Sequence, residues 1–395
     1  MQKVIEIVNL LFHDIAGKVP SHQIVLDWVV KAGLATSKED YDGKSLGEIN
    51  SMLDGKYHLI MDNSISNNNQ EIHLQLASPA QHLGDTLKHS NVHVANMSVG
   101  MNWTGDMVKE QLEKTMADMA GTLDYVTSDN GSILSKACVT LGIKQHKDIS
   151  HTLGMYLQQV YEKDVDYKRF NERMSFARKF CHTDIGHLLP PAQRSIARFM
   201  NEFARVDWAY AIRENFMMLS SKARFVFGFV NELGSFIDEM KEVMGCFRQV
   251  ESLCKKEGLS HKTAKECRRI VNERLVMGNE RQQQIGNLML QYFNREEALL
   301  DSENAVHNIS SDIIESSFGY IKFRISPNKN NGFTPLILLL PLHLKVADID
   351  NCADFNVKTL MEQTRYEDIK KYRKEKLMPN PADDRQNIFS MAVGF

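Results

Sequence analysis

Asp62, Asp129 and Glu315 stand out in this chain of 395 residues as side chains whose setting could do chemistry. Asp62 closes the short apolar run 57–61, and Asp129 closes the run 123–128 and precedes Asn130-Gly131. Glu315 follows two isoleucines in 310–319, a stretch that begins as a capped helix. Carboxylates brought together repel one another and favour divalent cations, and hard oxygen ligands suit Mg²⁺. A pair of such ions can hold a phosphodiester, activate a water or 3′-hydroxyl, and stabilise the oxygen that leaves in line. Each position also has a plain structural role, since an aspartate after a strand is commonly a turn residue or cap. Asp54 and Asp85, each beside a glycine, compete with Asp62. Asp312 is expected as the N-cap of its helix, with Glu315 completing a capping box three residues on.

The elements that must position these carboxylates follow from periodicity. Residues 57–61 read as a strand ending at Asp62, followed by a polar turn over 63–69. Ile72, Leu74 and Leu76 alternate with polar residues as a half-buried strand does. Val92, Val94 and Met97 indicate a third strand, 103–120 a helix capped by Thr104, and 123–128 a fourth strand. A helix over 132–141 and an extended stretch reaching Asp148 come next. From about 151 to 300 the period is helical, broken at Pro190-Pro191 and at Gly258-Leu259-Ser260. Near the start, a first helix carrying Val4, Ile7 and Leu11 breaks over 16–20. Ser21 then caps a second, with Ile24, Val25, Trp28 and Val29, expected to stop at Gly33. That is a helix-turn-helix outline.

This order predicts an α/β RNase H-like core interrupted by a large all-α insertion, with an N-terminal helix-turn-helix. In such a core the first and fourth strands are neighbours, so Asp62 and Asp129 would face one another. The expected divisions are 1–45 for the helix-turn-helix, 55–150 for the first part of the core and 151–308 for the insertion. The final core helix falls in 309–345, and a helical tail, lysine-rich over 366–376, in 346–395.

Composition sets the outer bounds. With 43% hydrophobic and 25% charged residues the chain is expected to fold, and a net charge of −3 excludes a uniformly basic coat. Six cysteines without a Cys-x-x-Cys pair predict a reducing compartment and no zinc ribbon. The apolar run 333–344 is shorter than the roughly 18 residues of a membrane span and contains Pro335 and Pro341. Glu6 interrupts the apolar start, so no signal peptide and no membrane are expected. His82, His89, His93 and His146 have no ligand spacing. In the helical region Arg194, Arg198 and Arg205 form one basic group, and Lys255, Lys256, Lys262, Lys265, Arg268 and Arg269 another. Such runs are usually solvated faces. Phe225, Phe227, Phe229 and Phe236 read as core, while Trp208 and Tyr210 are candidates for stacking on a flipped base.

The stretches Leu59-Ile60-Met61-Asp62, Val126-Thr127-Ser128-Asp129-Asn130-Gly131, Asp148-Ile149-Ser150-His151 and Ile313-Ile314-Glu315-Ser316-Ser317-Phe318-Gly319 together resemble DDE transposases of the bacterial insertion-sequence type, of the mutator-like group. These enzymes split an RNase H-like core with a helical insertion before the last glutamate. Asp148 and His151 match the Asp/Cys-x-x-His element of that group, and Val19-Pro20-Ser21 with Trp28 resembles its N-terminal DNA-binding part. The resemblance covers residues 15–345.

It implies that Asp62, Asp129 and Glu315 are catalytic and bind two Mg²⁺ or Mn²⁺ ions, with Asp148 and His151 as outer support. Ser21, His22, Lys31, Arg194, Arg198, Lys255, Lys256, Lys262 and Lys265 would contact double-stranded DNA, both element ends and target. It further implies a homodimer or larger synaptic assembly at a bacterial nucleoid in the cytoplasm. Two other readings are a domesticated transposase that only binds DNA, and a metal-dependent nuclease of the same fold without strand transfer.

Overall fold

Alternating apolar and polar residues build a mixed five-stranded sheet of order β3-β2-β1-β4-β5. The strands are β1 (Lys56–Asn67), β2 (Gln70–Pro79), β3 (His93–Met101), β4 (Thr122–Ser128) and β5 (Gln145–Lys147). The computed structural model describes residues 21–41, 55–67, 69–119, 121–180, 183–193, 199, 202–322, 332–346, 362, 364–379, 385 and 388. β2 runs antiparallel to both β1 and β3, and β4 is parallel to β1. The helices in chain order are α1 (His22–Tyr41), α2 (Gly105–Asp118), α3 (Ser132–Leu141), α4 (Ile149–Tyr161), α5 (Val165–Phe180), α6 (Glu202–Glu214) and α7 (Ser221–Phe227). They continue as α8 (Phe229–Glu232), α9 (Gly234–Glu257), α10 (His261–Val271), α11 (Glu280–Glu297), α12 (Asp312–Lys322), α13 (Leu339–Val346) and α14 (Tyr366–Lys376).

The chain divides into two compact units, one of Met1–Ala80, Leu87–Gln145 and Ser311–Phe395, the other of Gln81–Thr86 and His146–Ser310. In the first, strand parity sends side chains to two covers. Ile60, Ile72, Leu74, Leu76 and Val94 pack with Ile313, Ile314 and Phe318 of α12, with Leu340 and Leu344 of α13, and with Val30 and Leu34 of α1. Tyr57, Leu59, Met61, Ala77 and Val126 point the other way, onto Val108 and Leu112 of α2 and Leu134 and Ala137 of α3. Thr104 caps α2 as expected, accepting from the Met107 N–H.

Three local expectations differ from what is observed. Asn63 continues β1 rather than opening a turn, because its backbone pairs with His73 of β2. α1 does not stop at Gly33. A Cβ there would lie 2.2 Å from the Leu338 carbonyl oxygen, so this glycine permits close approach inside a continuous helix. Asp312 is the first helical residue of α12 and not its cap, since the Ser311 carbonyl accepts from the Ile314 N–H. The first helix of the helix-turn-helix outline lies outside the described residues.

The second unit is helical, as its period predicts. Its core runs from Leu157, Tyr161, Tyr167 and Phe170 through Phe227, Phe236, Met240 and Phe247 to Met289 and Phe293. Gly258 (φ +70°) turns the chain, and Leu259 then exchanges backbone hydrogen bonds with His307. Cys254 and Cys267 are buried thiols with sulfurs 3.6 Å apart. No helix among the described residues is long and apolar enough to cross a membrane.

Candidate active site

Met61 of β1 and Ser128 of β4 are partners in the parallel ladder, so Asp62 and Asp129 follow a matched pair on neighbouring strands. Such strands lie about 4.8 Å apart. Parity fixes the face of Asp62, which is a β1 residue. Leu59 and Val126 are partners on the α2 and α3 side, so Asp62, three residues after Leu59, shares the opposite face with Ile60, while Asp129 stands one residue past the end of β4. That face carries α12, whose Ile313 and Ile314 pack against Ile60 and whose exposed Glu315 lies in the first turn. Asp129 Oδ1 accepts the Gly131 N–H at 2.8 Å, which fixes the turn out of β4. The oxygen donors suit a hard divalent cation. Among the described residues no group of three or more His, Cys, Asp or Glu side chains could hold a metal ion, so Asp62, Asp129 and Glu315 do not form one here.

Beneath this face, on the α2 side, runs a buried polar chain that spacing did not reveal. His73 Nδ1 donates to Asn63 Oδ1 (2.6 Å), and Gln75 Nε2 donates to His73 Nε2 (2.8 Å). The Thr115 hydroxyl donates to Gln75 Oε1 (2.6 Å), and Asn96 Nδ2 donates to Thr115 Oγ1 (3.2 Å). Burial pushes the His73 imidazole down to about 3, so it is neutral and one ring nitrogen is free to accept. Tyr320 of α12 stacks on His343 at 3.6 Å between ring centroids, and His89 meets His343 edge-on at 4.9 Å. Burial lowers the pKa of His89.

Among the expected DNA contacts, Ser21 caps α1 through the Ile24 N–H, His22 is exposed and Lys31 is half-buried. Arg194 and Arg198 lie outside the described residues. Lys256, Lys262 and Lys265 are exposed and make no ion pair among the described residues, whereas Lys255 donates to Glu251 (2.6 Å). Arg269 pairs with Glu266 and Glu273, and Arg268 with Glu297. Arg205, expected on a basic surface, is buried instead and donates to both oxygens of Glu202 at 2.7 and 2.9 Å. Trp208 donates to the Leu188 carbonyl and packs edge-on against Phe227. Phe225, expected in the core, is 87% exposed.

Asp148 and His151 belong to the second unit. Asp148 is buried and caps α4, accepting the His151 N–H at 2.7 Å. The same unit contains a buried group that sequence spacing missed. His146 Nδ1 meets Glu296 Oε2 at 2.9 Å, and its Nε2 meets His307 Nδ1 at 2.8 Å. Arg295 and the Lys147 N–H also donate to the Glu296 carboxylate. The one signal in the sequence is Glu296 itself, which continues the stripe Ile285, Met289, Tyr292, Phe293 on the buried side of α11. A carboxylate there requires a buried partner.

Neither a protein-family model nor a curated protein matches this chain.

Proposed function

We propose that the chain is a DDE-type DNA transposase with an RNase H-like core, binding element ends and catalysing metal-dependent strand cleavage and strand transfer. One observation carries this reading. Asp62 and Asp129 follow partnered residues of the parallel β1/β4 ladder, and Asp62 lies on the face covered by the helix that bears Glu315. The strand order supports it too, because the first and fourth strands are neighbours and a helical unit intervenes between the fifth strand and α12.

Asp62, Asp129 and Glu315 would hold Mg²⁺ or Mn²⁺. When bound, the ions polarise the phosphodiester and favour the deprotonated nucleophile, water for cleavage and a 3′-hydroxyl for joining. The protein's own part is to hold one carboxylate on β1, a second in the turn that leaves β4, and the third on a helix packed against the sheet. Lys256, Lys262 and Lys265 supply uncommitted cations for phosphates. Two ends must be processed together, so a homodimer or larger assembly on double-stranded DNA follows from the reading.

The test is an assay of strand cleavage and joining with Mg²⁺, supplied with the DNA that flanks the coding region and with pre-cut versions of its ends. Joined product supports the transposase. Cleavage without joining identifies a nuclease, and binding without cleavage a DNA-binding relic.

A further inference from the structure

β3 is an edge strand of the sheet, and an edge leaves backbone groups that other elements must shield. α2 packs on one face of the sheet, while α1 and α14 join the core on the other. Where these covers approach one another beside β3, two neighbouring cavities open, and both have Ser37, Lys114, Tyr372, Glu375 and Lys376 in their walls. One, of about 370 Å³, is also lined by Leu34, Asp368 and Lys371. The other, of about 310 Å³, is also lined by residues 96–100 of β3 and by Gln111 of α2. We propose that this cleft binds a small phosphate monoester, its phosphate held by Lys114, Lys376 and the Ser37 hydroxyl and its organic part lying against Leu34 and Tyr372. Asp62, Asp129 and Glu315 take no part in it, so the site does not depend on the transposase reading.

Most polar groups of the cleft are already committed. Asn96 Nδ2 donates to Gln111 Oε1 (3.1 Å), and the Ser98 hydroxyl donates to the same oxygen (2.8 Å). The Trp103 indole N–H donates to the Glu71 carbonyl, and the Asp368 carboxylate accepts the Arg365 N–H at the start of its own helix. Ser37 differs. It is 5% exposed, lines both cavities and has no hydrogen-bond partner among the described residues. A hydroxyl so placed costs stability until a partner reaches it. Lys114 and Lys376 form no ion pair among the described residues, although each lines both cavities. Burial and the neighbouring Lys114 ammonium lower the Lys376 pKa, and like charges held together favour an anion beside them. Two cations and three donors match the near-double charge and three terminal oxygens of a phosphate monoester at neutral pH. A nucleic-acid backbone fits less well, because Glu110 and Glu375 in the walls would repel a polyanion. The cavity volumes belong to small-ligand sites.

The experiment is isothermal titration calorimetry of the full chain with phenyl phosphate, inorganic phosphate and phenyl sulfate, with thermal melting of each variant alongside. One phenyl phosphate per chain is expected. Phenyl sulfate keeps the shape with a single charge, and inorganic phosphate keeps the charge without the ring, so each is expected to bind about tenfold more weakly. Ser37→Ala, Lys114→Gln and Lys376→Gln are each expected to weaken phenyl phosphate about tenfold, the effect of losing one hydrogen bond to a charged group. Both lysines are exposed, so their variants are expected to keep the fold, and they decide if Ser37→Ala does not. Absence of phenyl phosphate binding, wild-type affinity in both lysine variants, or inorganic phosphate bound as tightly as phenyl phosphate overturns the proposal. Displacement of phenyl phosphate by duplex DNA overturns it too, since the cleft would then belong to a nucleic-acid surface.

Discussion

Asp129→Asn separates the chemistry of this site from its architecture. The structural work of the Asp129 side chain is one hydrogen bond, accepted from the Gly131 N–H at 2.8 Å. An asparagine carbonyl oxygen can accept the same bond, so the loss is the difference between a charged and a neutral acceptor, about 1 kcal/mol. In a domain of this size that lowers the melting temperature by about 2–4 °C. Activity is expected to respond on another scale. Removing the charge that holds a divalent ion forfeits several kcal/mol of transition-state stabilisation. At about 1.4 kcal/mol per tenfold, a loss of about 4 kcal/mol slows cleavage roughly a thousandfold. The assay pairs cleavage of a labelled element end with gel-shift binding of the same end. Binding is expected to stay near wild type, since Asp129 presents no cation to a phosphate. Parallel loss of binding and cleavage would refute the reasoning, because Asp129 would then support the fold.

Three further outcomes follow from the same geometry. Arg205→Ala leaves the Glu202 carboxylate buried with Tyr167 and Gln193 as its remaining side-chain donors among the described residues, and is expected to cost about 3–5 kcal/mol in urea unfolding; a cost below about 1 kcal/mol would mean the pair is dispensable. Replacing Lys256, Lys262 and Lys265 by alanine should reduce the slope of log K against log salt by about 0.9 per lysine that touches a phosphate. An unchanged slope would assign them to a solvated face. His73 titrates near 3 when folded and near 6.5 when unfolded, so between pH 6 and 4 the unfolded chain carries a proton that the native chain lacks. Stability therefore falls as pH falls through that window, by about 1.4 kcal/mol per unit from this residue alone. His73→Asn is expected to flatten the dependence by that amount, measured by urea unfolding at several pH values, and an unchanged slope would place a charged imidazole in the native core.

Much of the sheet was legible because one-face burial writes itself into the sequence. Ile72, Leu74 and Leu76 alternate with His73 and Gln75, and the apolar set faces α12 while the polar set faces α2. The same rule failed at Asn63, where polar side chains in a strand read as a turn until their buried partners are known. Gly33 misled for a related reason. Its lack of a side chain serves contact with Leu338, more than three hundred positions along the chain, and a local helix-stop rule has no access to that distance. At the candidate site, sequence order indicated Asp62 and Asp129, and the ladder sets both beyond a matched pair of residues. The group of His146, Glu296 and His307 was illegible because its members are 150 and 161 positions apart. Arg205 was misjudged because charge alone says nothing of a carboxylate three residues earlier that turns inward with it.

The joint between His146 and His307 has a consequence for how such a chain can change over generations. These residues stand near the ends of the stretch His146–Ser310, 2.8 Å apart through their ring nitrogens, and the Ile149 N–H donates to the Ile309 carbonyl nearby, which keeps the ends together. A segment whose ends already meet is a closed loop, and doubling the length of such a loop adds only about 0.6 kcal/mol of closure entropy. With an apolar core of its own, the helical unit can gain a turn, lose a helix or be replaced by another module while the five strands keep their order. The seam is thus a natural point for grafting, where variation in size costs the sheet little as long as the two histidines still meet.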